Sequence, residues 1–170
     1  MKRFLFIHIP KTAGTSFRLG LEAAFDNDSV CKDYSESSDE TSDEVLENIY
    51  RKKDFYAFHQ EFKKKGYRFL SGHFGVKKYI HLFGAENSIT FLRDPVKRIV
   101  SEYNHFAHYH GYEKDFQSFY SDKRFVNKQL NIFSGVPWPL VGFIGLTERY
   151  SESLIAVSYT HLTLPTKRIV

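Results

Sequence analysis

The chain predicts an α/β fold in three layers, with helices on both faces of a central parallel sheet. Two observations carry that expectation. Four short apolar runs, at residues 4–9, 69–71, 89–92 and 143–146, are each long enough for one buried strand, and each ends in a polar turn. Between them lie segments with helical spacing of apolar residues, and strands separated by helices pair in parallel through crossover connections. The 170 residues contain no internal repeat and suit one domain with one core, to which aromatic residues at 17% supply large buried area.

Taken in order, the first run leads through Pro10-Lys11-Thr12-Ala13-Gly14-Thr15-Ser16 into a helix over 16–25. Residues 26–43, dense in Ser, Asp and Glu, read as a mobile acidic loop. A helix is expected over 44–53, where Val45, Leu46 and Ile49 share a face. The strand at 69–71 ends in Ser71-Gly72-His73, and the helix after it carries Val76, Tyr79, Ile80 and Phe83, with Gly84 as its C-terminal stop. Ile89 to Leu92 form the next strand. Asp94-Pro95 then starts a long helix, the acid as cap and proline at its first position. Val96, Ile99, Val100 and Tyr103 recur at steps of three and four and predict its apolar face. Aromatic-rich helical pieces follow over 115–133, Pro137-Trp138-Pro139 breaks them, and a last strand ends at Thr147, the expected cap of a final helix.

Composition narrows the function. A net charge of +4 suits an anionic ligand without proving one. The lysines at 63–65 and 77–78 read as solvated faces flanking turns rather than a helix that reads nucleic acid. A single cysteine, Cys31, excludes an internal disulfide and a cysteine metal site, and agrees with a reducing compartment. The first strand begins almost at Met1, leaving no room for a signal peptide, and no run is long enough to span a membrane. A cytoplasmic protein is the expectation.

The stretch after the first strand is the most informative. A buried strand, a turn holding lysine, glycine and three hydroxyls, then a helix: this is the geometry of an anion cradle, with backbone N–H groups converging and Lys11 adding full charge. It is not a Walker A loop, because no Gly-Lys-Ser/Thr triplet occurs. The plainer alternative is that Thr15 or Ser16 only caps the helix. Arg93 stands at a strand's carboxyl end, where ligands of open α/β sheets bind, and Ser101 follows eight positions later on the helix. A guanidinium and a hydroxyl suit a phosphate; the plainer alternative pairs Arg93 with Asp94 or a surface acid and leaves Ser101 solvated. His73 is a candidate general base, with His8 its rival. His105, His108 and His110 lack the carboxylate pattern of zinc motifs.

These residues resemble a known family. His8-Ile9-Pro10-Lys11-Thr12-Ala13-Gly14-Thr15-Ser16 is similar to the phosphosulfate-binding loop of carbohydrate sulfotransferases, especially the heparan sulfate 2-O-sulfotransferase-like branch. Gly72-His73, the segment from Asn87 to Ser101, and Gly145-Leu146-Thr147-Glu148 resemble further landmarks of that family in the same order. The resemblance covers about residues 1 to 156. It implies a P-loop-NTPase-like sulfotransferase fold that uses 3′-phosphoadenosine 5′-phosphosulfate as sulfuryl donor, without metal, and a carbohydrate acceptor.

By the same resemblance, Lys11, Thr12, Ala13, Gly14, Thr15 and Ser16 hold the phosphosulfate, and Arg93 with Ser101 the 3′-phosphate. Lys11 stabilises the leaving phosphate and His73 is the base; Glu148 is left out of the catalytic set. Many relatives are Golgi enzymes with an N-terminal anchor, so a Golgi location would follow only if such a segment were missing here. Residues 157–170 look like a non-native read-through tail, which predicts a domain of residues 1–156, incomplete at its C-terminus and poorly soluble or inactive. Two alternatives stay open: a nucleotide kinase using ATP and magnesium, and a non-catalytic module that binds glycans.

Overall fold

The computed structural model describes residues 2–162. Strands β1 (Phe4–Ile7), β2 (Val30–Asp33), β3 (Phe69–Gly72), β4 (Ser88–Leu92) and β5 (Phe143–Leu146) form one sheet in the order β2-β3-β1-β4-β5, and every pairing is parallel. Side chains alternate across a strand, so each strand feeds both faces. Phe4 and Phe6 pack with Phe17, Leu21 and Phe25 of α1 (Gly14–Phe25) and with Val157 of α8 (Tyr150–Val157). Leu5 and Ile7 go to the other face. There they meet Val45 of α2 (Asp43–Val45), Phe58 and Phe62 of α3 (Phe55–Lys64), and Phe83 of α4 (Ile80–Phe83). The three-layer α/β/α architecture read from the sequence is the one observed.

Several elements differ from the sequence reading. The stretch 26–43 is not a mobile loop: it contains β2, whose Val30, Cys31 and Asp33 are buried, as is Thr41 beyond it. Two apolar residues suffice at a sheet edge when the backbone ladder to β3 supplies the rest, and an acidic surround hides so short a run. Burial pushes the Cys31 thiol up to about 12, so it packs as an inert small apolar group. The segment after α2 continues as a π-helical turn, Leu46–Arg51, and α3 was hidden by its lysine run, although Asp54 caps it with a bond from the Ala57 N–H. Gly84 closes α4 at φ 82°, as expected of a glycine stop.

The long helix α5 (Pro95–Tyr109) starts as read, with the Asp94 carboxylate accepting from the Lys97 N–H and proline in its first turn. Its buried face does not. Val96 is 67% and Val100 39% exposed, whereas Arg98 and Glu102 are buried. The guanidinium of Arg98 donates to Glu102 (2.5 Å) and to the Phe125 carbonyl (2.8 Å), while Lys128 of α7 (Lys128–Ile132) reaches the other Glu102 oxygen at 2.7 Å. Around this ionic seam, Tyr103, Phe106, Phe119 and Phe125 form an aromatic cluster with α6 (Phe116–Ser121). Glu102→Ala strands Arg98 in that setting. Its expected cost is about 3–5 kcal/mol, read as a lower urea midpoint at unchanged slope.

After α8 the chain turns through a π-helical segment, Ser158–Leu162, and Val157 and Leu162 are buried against β1 and β4. Residues 163–170 of the expected tail lie outside the described residues. Among the described residues no helix is long and apolar enough to cross a membrane.

Candidate active site

Because all five strands run the same way, the residues that follow them gather along one edge of the sheet. They are His8 after β1, Tyr34 after β2, His73 after β3, Arg93 after β4 and Thr147 after β5. The register aligns Ile7, Gly72 and Asp33, so His8, His73 and Tyr34 stand abreast. The ladder runs one step further here: the His8 N–H donates to Gly72 (3.0 Å) and the His73 N–H to the Asp33 carbonyl (3.0 Å). Asp33 is itself fixed, its buried carboxylate accepting from Tyr50, Lys78 and Tyr79 at 2.7–2.8 Å.

The Pro10–Ser16 segment turns sharply from β1 into α1. Lys11 and Ala13 both hold left-handed backbone, at φ 68° and 63°, and Ala13 is the N-cap of α1 without any side-chain cap bond. Neither Thr15 nor Ser16 serves as cap; both are exposed. The first N–H bonded back into the helix is that of Phe17, to the Ala13 carbonyl at 3.2 Å. The N–H groups of Gly14, Thr15 and Ser16 thus have no backbone acceptor among the described residues, at the positive end of a twelve-residue helix. The Thr12 hydroxyl turns inward to the Ile9 carbonyl (2.9 Å) and braces the loop. Gly14 has a specific reason to be glycine: a Cβ there would lie 2.0 Å from the His8 ring.

His8 therefore links the cradle to His73. Its ring stacks on Phe6 and approaches the His73 ring to 4.3 Å between centroids. Nδ1 of His73 lies 2.6 Å from the His8 carbonyl, a contact that only an N–H donor at Nδ1 makes favourable, which leaves Nε2 with its lone pair. His73 is exposed, whereas His8 is buried with Nδ1 bonded to the Tyr34 hydroxyl (2.9 Å). Burial, then the neighbouring His73 and Arg18, push His8 down to about 3. Of the two rivals, His73 is the ring open to a substrate.

The remaining predicted residues come to the same place. The Arg93 guanidinium donates to the Lys11 carbonyl at 3.2 Å, and Ser101 shares with Lys11 an open cleft of about 370 Å³, lined also by Asn104, His105, His108 and Tyr109. A cleft of similar size between the α2 segment and α3 is lined by four acids, Asp43, Glu44, Glu47 and Glu61, against one lysine, Lys52, and suits an anion less well. Among the described residues no group of three metal-ligating side chains occurs. The profile of a family described as the Sulfotransferase family matches residues 1–134 of the 170. The chain belongs to this family. No curated protein matches it.

Within this sulfotransferase fold, Gln129 and Tyr34 are supports that the sequence does not mark, and Thr147-Glu148, a segment it does mark, has a role other than the expected helix cap. Gln129 of α7 clamps the Arg93 backbone on both sides, accepting from its N–H and donating to its carbonyl at 2.9 Å each. The Thr147 hydroxyl donates to the Leu92 carbonyl (2.9 Å) across the sheet instead of capping a helix, and Glu148 accepts from the Asp94 N–H (3.0 Å).

Proposed function

We propose that this sulfotransferase moves a sulfuryl group from 3′-phosphoadenosine 5′-phosphosulfate to a carbohydrate hydroxyl, in the manner of the heparan sulfate 2-O-sulfotransferase-like branch. One observation carries the reading: Arg93 rests on the backbone of Lys11, so a single donor molecule can touch both. The cradle suits the donor's phosphosulfate end. Its three free N–H groups, the helix end and the Lys11 ammonium all favour an anion. Arg93 and the Ser101 hydroxyl suit the 3′-phosphate. Carbohydrate as acceptor agrees with the cleft beside Lys11, where Asn104, His105, His108 and Tyr109 offer polar groups and ring faces to a sugar.

In the mechanism, Nε2 of His73 takes the proton of the acceptor hydroxyl as its oxygen attacks sulfur in line. The new O–S bond forms as the bond from sulfur to the bridging phosphate oxygen breaks, and adenosine 3′,5′-bisphosphate leaves. Lys11 and the first N–H groups of α1 hold the charge that gathers on the bridging oxygen.

Calorimetric titration with adenosine 3′,5′-bisphosphate tests the donor side. It should bind in preference to ATP–magnesium, and Arg93→Ala should weaken it by roughly ten- to a hundredfold, the worth of charge-assisted bonds to phosphate. Preference for ATP–magnesium would replace this reading with a kinase; glycan affinity indifferent to nucleotide would replace it with a binding module.

A further inference from the structure

We propose that Tyr34 is a positioning residue: its hydroxyl fixes the His8 ring, and His8 in turn holds His73 at a set distance from the Lys11 loop. This rests on the sulfuryl-transfer reading above and adds a residue that no motif marks.

Four elements meet at Tyr34. Just after β1, His8 Nδ1 lies 2.9 Å from the hydroxyl, and from β3 the Ser71 hydroxyl lies 3.4 Å away. The Tyr34 ring stands edge-on to both histidines, at 5.7 Å from His8 and 4.8 Å from His73, each at 90°. From α1, the Arg18 guanidinium sits 5.6 Å from the ring centre, itself anchored by Glu22 (2.8 Å) and Glu40 (3.1 Å). The turn after β2 is pinned as well, since the buried Thr41 hydroxyl accepts from the N–H groups of Tyr34 and Ser35 and donates to the Ser35 carbonyl. A side chain held from so many sides has one place for its hydroxyl.

The consequence runs outward through His8. That ring lies close to both Gly14 of the cradle and the His73 ring. A His8 ring free to turn would press on Gly14 or withdraw from His73. The His8 carbonyl stays in the sheet ladder, but either movement removes the ring contact that seats the His73 imidazole, so that its Nδ1–H no longer aligns with that carbonyl and the lone pair is no longer confined to Nε2. Displacement of a base by even part of an ångström weakens proton abstraction, because the reacting atoms must approach in line.

Tyr34→Phe keeps the ring and deletes only the hydroxyl. In the full chain, ¹⁵N-detected NMR of the histidine rings should show His73 as the Nδ1–H form in the parent protein and as a mixture of both tautomers in Tyr34→Phe. Turnover should fall on the order of ten- to a hundredfold, while affinity for adenosine 3′,5′-bisphosphate stays unchanged. A His73 tautomer that the substitution leaves unmoved overturns the proposal, whatever turnover does. Should Tyr34→Phe fail to fold, His8→Asn takes its place under the same criterion. A parent protein that neither binds the bisphosphate nor transfers sulfuryl groups would defeat the functional reading instead, and the tautomer would still decide the role of Tyr34.

Discussion

Exchange of Lys11 for alanine is expected to lower turnover by about 10²- to 10³-fold with little change in stability. The reason lies in where charge appears. In the bound donor the bridging oxygen is neutral in effect; as the sulfuryl group departs, it becomes an anion. An ammonium at that point favours the transition state over the ground state, so kcat falls; the same ammonium also faces the charge of the bound donor, so the donor KM rises as well. The fold should tolerate the change. Lys11 lines an open cleft, and its backbone, at φ 68°, is no harder for alanine to adopt than for lysine. Single-turnover rates at saturating donor, with a thermal melt as control, provide the measurement. A rate within about threefold of the parent's removes Lys11 from the chemistry.

His73→Ala is expected to cost a comparable 10²- to about 10⁴-fold, the usual worth of a positioned general base. It should leave donor affinity intact, since the bond that His73 makes to the cradle side ends on the His8 backbone. The pH profile supplies a second test. Although part of the ring is exposed, the His8 and Tyr34 rings packed against it strip water from the rest, which lowers the His73 pKa first. The Lys128 charge lowers it further, against the raising pull of the His8 carbonyl. A base with a lowered pKa keeps its lone pair to lower pH. The acid limb of kcat/KM should therefore lie below the ordinary histidine value of about 6.5, and vanish in His73→Ala. His8, neutral down to about 3, is not the group that titrates there. An acid limb above 6.5, or one that survives the substitution, would exclude His73 as base.

Much of this was legible in the sequence because the informative features are local. An apolar run followed by Pro10–Ser16 specifies strand, cradle and helix within one stretch of chain, and Asp94-Pro95 marks a helix start through its own cap bond. What escaped depends on contacts between distant segments. β2 is a strand because β3 offers it a ladder, and nothing in Val30-Cys31-Lys32-Asp33 announces that. Tyr34 matters because the register sets it beside His8 and His73, which lie far from it in the chain. The face of α5 was misread for a related reason. Val96 and Val100 look like core, yet the space is taken by Arg98 and Glu102, whose charges are matched by each other and by Lys128, a residue twenty-six positions on. Periodicity counts apolar residues; it does not see that an ion pair, once fully partnered, can be buried in their place.

The sheet order has a consequence for how such a protein diversifies. The strands that end in His8, His73 and Arg93 are β1 and its two immediate partners, the most supported part of the structure. The segments that border the cleft, α5 with its packed neighbours α6 and α7, hang at the periphery on an aromatic and ionic seam of their own. Exchanges at cleft positions of α5 other than Ser101, such as Asn104, His108 and Tyr109, would therefore alter which molecules fit while the strand ends that carry the reaction centre keep their places.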